Sequence, residues 1–418
     1  MIKNVFTRAT VIARLETGPF GSHLDALATV LQKQGYSLST IRNYLREVHA
    51  FGRWANERHR LGEICELTLQ HYLDNLPTQS GSAIQNRRRK ITTAVHLLLN
   101  YLRQAGMIAP PSVESLPLTE AQQWLTHYEE HLEKVQGLAP TTRQRYLPFA
   151  SRLLNIVSQG GLIEWSSINA DKVIEFVRND ASRRKGVGAQ ATSTAIRSFL
   201  RFLVSEGQRS AGLETAIPNI PRWSQAALPQ RLSEAEIDRL LKICTDRTAI
   251  GRRNHAILML LSRLGLRAKE IAGMQLDDLD WVNGSLLIHS TKTRSERILP
   301  MAQDVGDSLV SYLRYSRPAT PHRRIFLDHT APFQPLQTAS AITHIVQRLL
   351  KKAGIERQSS GAHLFRHTAA SQMVNRGASF KEVADVLGHQ SLQTTGIYAK
   401  LDLAALSETA LPWPGGAQ

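Results

Sequence analysis

The sequence contains little cysteine, only Cys65 and Cys244 among 418 residues. Two thiols so far apart suit neither a disulfide framework nor the ligand spacing of a zinc site. No apolar run approaches the roughly 18 residues that a membrane-spanning helix needs, and charged residues interrupt the apolar stretch at the N-terminus. A glycine-rich phosphate-binding loop and an acidic metal cluster are also missing from the sequence. We therefore expect a soluble, cytoplasmic protein that uses no metal and no cofactor.

Acidic residues are the scarcer charged type. Asp and Glu number 35 against 51 for Lys and Arg, which gives a formal net charge of +16. An excess of this size favours a polyanionic partner, because neutralising the phosphates of a nucleic acid releases condensed counterions. A basic surface that only keeps the protein soluble is the alternative at this point. The length, with 42% hydrophobic residues, is enough for two or three domains.

Prolines mark two breaks in an otherwise helical pattern. Apolar residues recur at helical spacing over 22–107, and a linker with three prolines near 108–118 ends that pattern. A second proline-marked stretch covers 217–229. Ser233 and Glu236 then have the spacing of a capping box, which predicts a new helix start. We expect three domains, namely a first helical block (1–110), a second helical block (118–222) and a C-terminal region (230–411).

The second helical block repeats short segments of the first. Regular recurrence of this kind predicts two copies of one small helical domain. Chance alignment of helical periodicities is the alternative. The matching segments are Thr40–Leu45 with Thr142–Leu147 at an offset of 102, Leu67-Thr68 with Ile168-Asn169 at 101, and Tyr101-Leu102 before Gly106 with Phe202-Leu203 before Gly207 at 101.

The C-terminal region mixes helical and strand patterns. Helical runs at 234–245 and 252–264 precede two short apolar runs, Leu286–Ile288 and Ile298-Leu299. The turn between these apolar runs predicts a β-hairpin. From 339 to 410 the pattern is helical again. This region is therefore expected to be mainly α with a small antiparallel sheet.

Four segments of the C-terminal region carry residue types suited to a single phosphate. Metal-free transfer at a DNA diester needs cations for the phosphorane, a nucleophile and an acid for the leaving oxygen. Arg267 and Arg366 suit the first task, because a planar guanidinium donates in pairs to phosphate oxygens. His363, three residues before Arg366, shares its helix face and can accept a proton or bind the phosphate. Lys292, at the hairpin tip, is the candidate general acid.

Each of these residues also has a simpler interpretation when it is taken alone. Arg267 can be a surface arginine paired with Glu270, and Lys292 a solvated turn residue. His363 and His367 have the i, i+4 spacing of metal ligands, although no acidic or cysteine ligand stands nearby in the sequence. Tyr398 can be an aromatic anchor for a terminal helix.

The order and spacing of these residues resemble the active-site pattern of the tyrosine recombinase (phage integrase) family. The resemblance covers about 230–405, and a mild departure is that threonines flank Lys292 where many relatives have glycines. For the fold, it implies two tandem small helical domains of the SAM-like, core-binding type followed by a mixed α+β catalytic domain. The motifs that carry it are Arg267, Lys292 in a hairpin, His363-x-x-Arg366, Leu387-Gly388-His389, Tyr398 and the run Lys292-x-x-x-Glu296-Arg297-x-x-Pro300.

The resemblance also implies a role for each matching residue. Tyr398 would attack the scissile phosphate to give a 3′-phosphotyrosyl link, while Arg267 and Arg366 hold the phosphate. His363 and His389 would bind it or assist proton transfer, and Lys292 would protonate the leaving oxygen. Glu270 would steady Arg267. The covalent link conserves the energy of the diester, so neither ATP nor a metal is implied.

Double-stranded DNA with specific recombination sites is the implied partner. Within the family the core-binding and catalytic domains form a clamp around DNA, and the tail after the tyrosine docks on a neighbouring protomer. The helical pattern at 401–411 would be that tail, in a homotetramer on two duplexes at the nucleoid, with possible accessory proteins. Several basic residues would contact DNA phosphates, and the alternative is that they are solvated residues at helix ends. They are Arg87, Arg88, Arg89, Lys90, Arg183, Arg184, Lys185 and Arg294.

Two rival functions remain open at the level of sequence. A type IB topoisomerase shares the tyrosine and the arginine pair, but it relaxes a single duplex without a site-specific partner. A non-catalytic regulator would use 379–388 as the first part of a helix-turn-helix, with Gly388 in the turn.

Overall fold

A computed structural model describes ten stretches of the chain. The hairpin turn at 291–295 and the tail at 401–411 lie outside them. The described stretches are 1–58, 63–76, 82–110, 118–159, 162–183, 187–209, 212–218, 230–289, 296–357 and 361–388.

Two compact units make up the chain. One is Ser112–Ala226, and the other combines Met1–Pro111 with Ala227–Gln418. Three main hydrophobic cores correspond in sequence to the two helical blocks and the C-terminal region. Within the described stretches, no helix is both long and apolar enough to cross a membrane.

The first helical block contains six helices. The helical pattern predicted from residue 22 onward is confirmed, whereas the two short helices before it have no counterpart in that prediction. Ser37 caps the helix Leu38–Asn56 by accepting a hydrogen bond from the Thr40 backbone N–H. The helices are α1 (Ile2–Val5), α2 (Ala9–Glu16), α3 (Gly21–Lys33), α4 (Leu38–Asn56), α5 (Glu66–Asp74) and α6 (Ser82–Gln104).

The described residues of the second helical block form four α-helices, a two-stranded hairpin and a short 3-10 helix, Trp165–Ser167. Its first helix starts with a capping box in which Thr119 and Gln122 satisfy each other's backbone N–H groups. Pro140 occupies the first turn of the next helix, where its missing N–H has no intrahelical partner to lose. The elements are α7 (Glu120–Lys134), α8 (Pro140–Val157), β1 (Ser158–Gln159), β2 (Leu162–Ile163), α9 (Ala170–Ser182) and α10 (Val187–Ser205).

Helices α3–α6 and α7–α10 follow one another in the same order and bury equivalent positions. The offset is 102 in the second helix and 101 in the last, as the sequence repeat predicts, and it is 101 in the first helix, for which the repeat contains no matching segment. The third helix corrects that prediction, because its buried residues match at 104, with the extra residues falling in the β1–β2 hairpin. The buried pairs include Leu27/Tyr128, Val48/Ala150, Ile64/Ile168, Leu69/Val173, Tyr72/Phe176, Val95/Ile196 and Leu99/Leu200.

Both blocks end their last helix in the same way. Gly106 follows α6 and Gly207 follows α10, and each has φ of +70°. The next backbone N–H, of Met107 or Gln208, returns to a carbonyl five residues earlier. This is the Schellman geometry, which needs a left-handed residue and therefore favours glycine.

The C-terminal region surrounds one almost fully buried helix. Its three strands form an antiparallel sheet in the order β3-β4-β5, with Leu287 paired to Ile298. The two predicted strands are confirmed, and β3 adds to them. The elements are α11 (Glu234–Ile243), α12 (Ala249–Leu264), α13 (Ala268–Gly273), β3 (Leu279–Asp280), β4 (Ser285–His289), β5 (Glu296–Pro300), α14 (Gln303–Tyr315), α15 (Ala339–Lys352), α16 (Ala362–Asn375) and α17 (Phe380–Leu387).

Helix α12 is the helix around which this region packs. Thr248 caps its start, and six consecutive residues from Ala256 to Leu261 are buried. Over these six residues the helix is apolar on all sides, so this stretch must be covered on all sides. Helices α11, α13, α14, α15 and α16 all contact it. Its C-terminal end is therefore a fixed point, and the segment that follows begins from a defined position.

The Schellman glycines give a prediction about stability. We expect Gly106→Ala and Gly207→Ala each to lower the free energy of unfolding by about 1 kcal/mol, because an L-residue is strained at positive φ. A Cβ at either position has open space, so only the backbone contributes. Urea unfolding followed by circular dichroism measures the change.

Gly306→Ala is the matched control. Gly306 lies inside α14, and a Cβ there makes only ordinary contacts with Met301. Alanine should stabilise that helix by up to about 1 kcal/mol. Equal effects at all three glycines would contradict the assignment of backbone strain to Gly106 and Gly207.

Candidate active site

Gly265, which follows the last residue of α12, is the first residue of the site along the chain. It has φ of +58° and is the left-handed residue that terminates the helix. A Cβ on Gly265 would lie 2.7 Å from Leu387 Cδ2 and 3.2 Å from Ala369 Cβ. Glycine is needed both for the backbone conformation and for the close approach of α16 and α17. The chain then turns directly into Arg267, the residue that caps α13.

Arg267 and Glu270 form the closest ion pair of the site. The Arg267 Nη1 donates to Glu270 Oε1 at 2.8 Å, and the Arg267 backbone N–H donates to Oε2 at 2.8 Å. The Arg267 side chain is 32% exposed, whereas that of Glu270 is 2% exposed. The two bonds that Arg267 makes through its guanidinium to described residues leave further N–H donors for a ligand.

Glu270 is held in its ionised form by two arginines. Burial raises the pKa of its carboxyl, but hydrogen bonds and charge from Arg297 and then Arg267 outweigh burial and lower the pKa below its usual value. A carboxyl with a lowered pKa stabilises the folded state above the pKa of the unfolded chain. This contribution is lost as the pH falls through the folded-state pKa.

Arg366 lies on α16 and is 4% exposed. Its Nη1 donates to the Gly265 carbonyl at 2.9 Å, and its Nη2 donates to the Leu387 carbonyl at 2.5 Å. These bonds join the end of α12 to the end of α17. Arg366 therefore holds the end of α12, 101 residues before it, and the end of α17, 21 residues after it, at one point next to Arg267.

Three arginines bind three consecutive carbonyls at the end of α17. The last carbonyls of any helix lack intrahelical partners, and that end carries a partial negative charge. The Gly388 N–H satisfies the carbonyls of Ala384 and Asp385. The next three carbonyls accept from arginine side chains, namely Val386 O from Arg297 Nε at 3.1 Å, Leu387 O from Arg366 Nη2 at 2.5 Å and Gly388 O from Arg267 Nη2 at 2.7 Å.

Gly388 permits this arrangement. It ends α17 with φ of +63°, and a Cβ there would lie 2.7 Å from Arg297 Nη1. The Leu387-Gly388 pair of the sequence motif thus provides a buried anchor, a left-handed turn and room for an arginine. His389 follows immediately and lies outside the described residues.

His363 is exposed in the first turn of α16, one turn before Arg366. Both residues are on the predicted helix, although Arg366 points into the protein and His363 is exposed. His367 is half-buried, and burial followed by the charges of His363 and Arg366 lowers its pKa. The positive charges of His363 and Arg366 therefore disfavour protonation of His367.

A histidine joins the two long strands at the base of the hairpin. His289 ends β4, and its Nδ1 is 2.8 Å from Glu296 Oε1 across the pair, while its Nε2 is 3.0 Å from Asp278 Oδ1. Hydrogen bonds that the His289 ring donates to the carboxylates of Asp278 and Glu296 raise the pKa of His289. Lys292 and Arg294 belong to the intervening turn, outside the described residues.

Of the predicted site residues, the structure brings together Arg267, Glu270 and Arg366, with His363 on the same helix as Arg366. Tyr398 lies outside the described residues, as do the basic residues Arg184 and Lys185. The remaining predicted DNA contacts belong to the two helical blocks, where Arg87, Arg89, Lys90 and Arg183 are exposed and Arg88 is half-buried, 3.7 Å from Asp74.

Arg297 is the member of the cluster that sequence reasoning did not select. It was visible in the run that carries the resemblance, five residues after Lys292. Nothing in a single sequence distinguishes a strand arginine that faces a buried carboxylate from a solvated one. Its bidentate contact with Glu270 became apparent only in three dimensions.

Two family models match the chain. The model described as "Phage integrase family" matches residues 230–404. The model described as "Phage integrase, N-terminal SAM-like domain" matches residues 125–207. Together they cover the C-terminal region and most of the second helical block.

Relatives extend the similarity over nearly the whole chain. The putative integrase/recombinase y4rA of Sinorhizobium fredii is 34% identical over 407 residues, which cover 97% of this chain and 98% of that protein. The tyrosine recombinase XerC of Thermodesulfovibrio yellowstonii is 26% identical, over 70% of this chain and 96% of that protein.

Solved structures of similar fold include two recombinases with DNA. The XerH site-specific recombinase in a post-cleavage complex has a TM-score of 0.54 and 19% identity, over 72% of this chain and 91% of that chain. A lambda integrase tetramer bound to a Holliday junction has a TM-score of 0.54 and 17% identity, over 75% and 86%. With the full-length similarity to y4rA and both family models, these findings establish that this chain belongs to the phage integrase family of tyrosine recombinases.

Proposed function

We propose that this protein is a site-specific DNA recombinase of the mobile-element type, which cleaves and rejoins strands through a 3′-phosphotyrosyl intermediate. The observation that carries the proposal is the convergence of Arg267 and Arg366 on adjacent carbonyls, Gly388 and Leu387. Two guanidinium groups that share one anionic helix end are spaced to share one phosphate. The family membership supports the same conclusion.

The arginines stabilise the charge that develops in the reaction. Attack on a phosphodiester passes through a pentacoordinate phosphorus that carries more negative charge on its non-bridging oxygens than the diester does. Arg267 and Arg366 donate to those oxygens. Because Glu270 and the helix end already fix the side chain of Arg267, little reorganisation accompanies phosphate binding.

Proton transfers complete the step. The Tyr398 oxygen bonds to phosphorus, the bond to the 5′ oxygen breaks, and Lys292 supplies the proton that makes this oxygen a hydroxyl. His363 or His389 accepts the tyrosine proton. Religation runs the same transfers backwards with a new 5′-hydroxyl. The number of diester bonds is unchanged, so the reaction requires no ATP.

The nucleophile assignment gives a prediction. A nicked duplex that carries the cognate site should form a protein–DNA adduct resistant to SDS with the unaltered chain, and none with Tyr398→Phe. Phenylalanine keeps the ring and removes only the oxygen that bonds to phosphorus. Gel electrophoresis after denaturation measures the adduct.

The control is noncovalent binding of the same duplex, which Tyr398→Phe should retain. The adduct should also form in excess EDTA. Site-specific binding with no adduct from the unaltered protein would reject the catalytic proposal in favour of a DNA-binding regulator. Relaxation of a supercoiled plasmid that lacks the site would favour a type IB topoisomerase, for which the comparisons give no support.

The two helical blocks are proposed to bind DNA along its backbone. The second block matches the SAM-like family model, and the first block buries equivalent positions in the same order of four helices. We infer that the first block is a second copy of that domain, with 1–110 and 118–222 as the boundaries of the two copies. Exposed basic residues stand near the start of α6 in the first copy, and Arg183 ends α9 in the second.

The proposed DNA-binding residues of the first block are testable through their salt dependence. The triple variant Arg87→Ala, Arg89→Ala, Lys90→Ala should bind the cognate duplex more weakly at every sequence. The slope of log K against log salt should fall by about 0.9 for each phosphate that the variant no longer neutralises. Fluorescence anisotropy over a range of salt concentrations measures both quantities.

A matched triple variant replaces Arg8, Arg14 and Lys33 with alanine. These cations are exposed in the same block, where Arg8 precedes α2, Arg14 is in the last turn of α2 and Lys33 is in the last turn of α3. Their loss removes the same net charge, so it controls for long-range attraction. Equal losses of affinity in the two triple variants would contradict DNA binding at the start of α6.

Assembly and location follow from the same proposal. A homotetramer on two duplexes is proposed, with the segment 401–411 docking on a neighbouring protomer and Arg294 beside the DNA. The lambda integrase neighbour is a tetramer on a Holliday junction. Action on DNA would place this protein in the cytoplasm at the nucleoid.

A further inference from the structure

Arg297 is a residue of strand β5 that contacts helix α13 and the end of helix α17. It lies on β5, where it pairs with Ile288, and its side chain is 14% exposed. Its Nη1 and Nη2 donate to the two oxygens of Glu270 at 3.1 and 3.0 Å. Its Nε donates to the Val386 carbonyl at 3.1 Å. One side chain thus joins the sheet to α13 and to the end of α17.

The contact with Glu270 uses the shape of the guanidinium group. Two parallel N–H bonds to one carboxylate fix both the distance and the plane of the pair, which a lysine ammonium cannot do. Each Glu270 oxygen also accepts one bond from Arg267, from Nη1 or from the backbone N–H. The carboxylate is therefore saturated by four donors and cannot rotate without breaking bonds to both arginines.

The orientation of the Arg267 side chain depends on the contacts that Arg297 makes. Its Nη1 is bound to Glu270 and its Nη2 to the Gly388 carbonyl. Arg297 holds both of these anchors, Glu270 directly and the helix end through Val386 O. The 2.7 Å between Arg297 Nη1 and a Cβ built on Gly388 shows how closely the arginine packs on that end.

We propose that Arg297 is a positioning residue for strand cleavage, which orients the phosphate-binding guanidinium of Arg267 through Glu270 and the end of α17. This inference rests on the recombinase function proposed above. Arg297 itself need not touch DNA. Its effect is on the rate of the chemical step rather than on the affinity for the duplex, because a displacement of the catalytic group of about 1 Å is enough to slow a reaction 100-fold.

Arg297 also keeps Glu270 ionised. After burial, which raises the pKa, hydrogen bonding and charge from Arg297 are the largest influences on this carboxyl, and both lower the pKa. Among the described residues, Arg267 and Arg297 form ion pairs with Glu270, while Lys269, Asp278, His289 and Arg324 line the cavity beside it. Removing either arginine raises the pKa, so Glu270 takes up a proton at a higher pH than in the unaltered protein.

The experiment compares Arg297→Lys, Arg297→Met and the control Arg263→Met, which removes an exposed pair with Asp304 at 2.9 Å in the same region. Single-turnover cleavage of the nicked duplex gives the rate, and anisotropy gives the dissociation constant. Arg297→Lys should cleave roughly 10- to 100-fold more slowly with its dissociation constant within about threefold of the unaltered value. Arg263→Met should leave both unchanged.

Two readouts separate positioning from a loss of folding. As the pH is lowered, the cleavage rate of Arg297→Met should begin to fall at a higher pH than that of Arg297→Lys. In the methionine variant Glu270 keeps Arg267 as its ion-pair partner, whereas in the lysine variant it keeps Arg267 and gains a lysine. If Arg297→Met does not fold, Arg297→Lys and Glu270→Gln, checked by thermal unfolding, carry the test. Both should be folded, bind DNA and cleave slowly.

A substrate with sulfur at the 5′ bridging position identifies the step affected. Its thiolate leaves without a proton, so it bypasses the general acid but still requires charge stabilisation. The defect of Arg297→Lys should persist on this substrate. Full recovery of the cleavage rate on this substrate would overturn the proposal, because it would show that Arg297 acts through the leaving group. Cleavage of the ordinary substrate by Arg297→Lys at the rate of the unaltered protein would also overturn it. No adduct from the unaltered protein would instead reject the recombinase function itself.

Discussion

The site depends on a buried carboxylate bound by two arginines. Glu270 is almost inaccessible to solvent, and it is stable there as an anion only because Arg267 and Arg297 surround it. Removing either arginine leaves the buried carboxylate with the other as its remaining ion-pair partner among the described residues. The same two arginines, with Arg366, bind the last carbonyls of α17. The charge balance of the interior and the termination of a helix are therefore achieved by one set of side chains.

This arrangement links three distant parts of the chain to one position. Gly265 and Arg267 come from the end of the central helix, Arg366 from α16, and Gly388 from the end of α17. The glycines allow the backbones to approach, and the arginines join them. The positions of the phosphate-binding groups thus depend on the packing of the core around α12.

Sequence alone predicted the parts of this site that depend on local spacing. The Arg267–Glu270 pair, the capping box at Ser233, the hairpin and the helix with His363 and Arg366 all follow from residues a few positions apart, and the structure has each of them. The role of Arg297 and the burial of Arg366 depend on segments far apart in sequence, so no periodicity reports them. The third helix of the repeat was misaligned for a similar reason, since an inserted hairpin shifted its register to 104.

The most direct test is a crystal structure of the unaltered chain with a duplex broken at the scissile position and vanadate in the gap, where the Tyr398 oxygen and the 5′-hydroxyl oxygen supply its two apical ligands. Vanadate adopts the five-coordinate geometry that the arginines are proposed to stabilise. We predict Arg267 and Arg366 nitrogens within about 3 Å of equatorial oxygens, with Arg297 still bound to Glu270 and Val386 O. Vanadate bound by Arg297, or bound with either Arg267 or Arg366 turned away, would contradict the account.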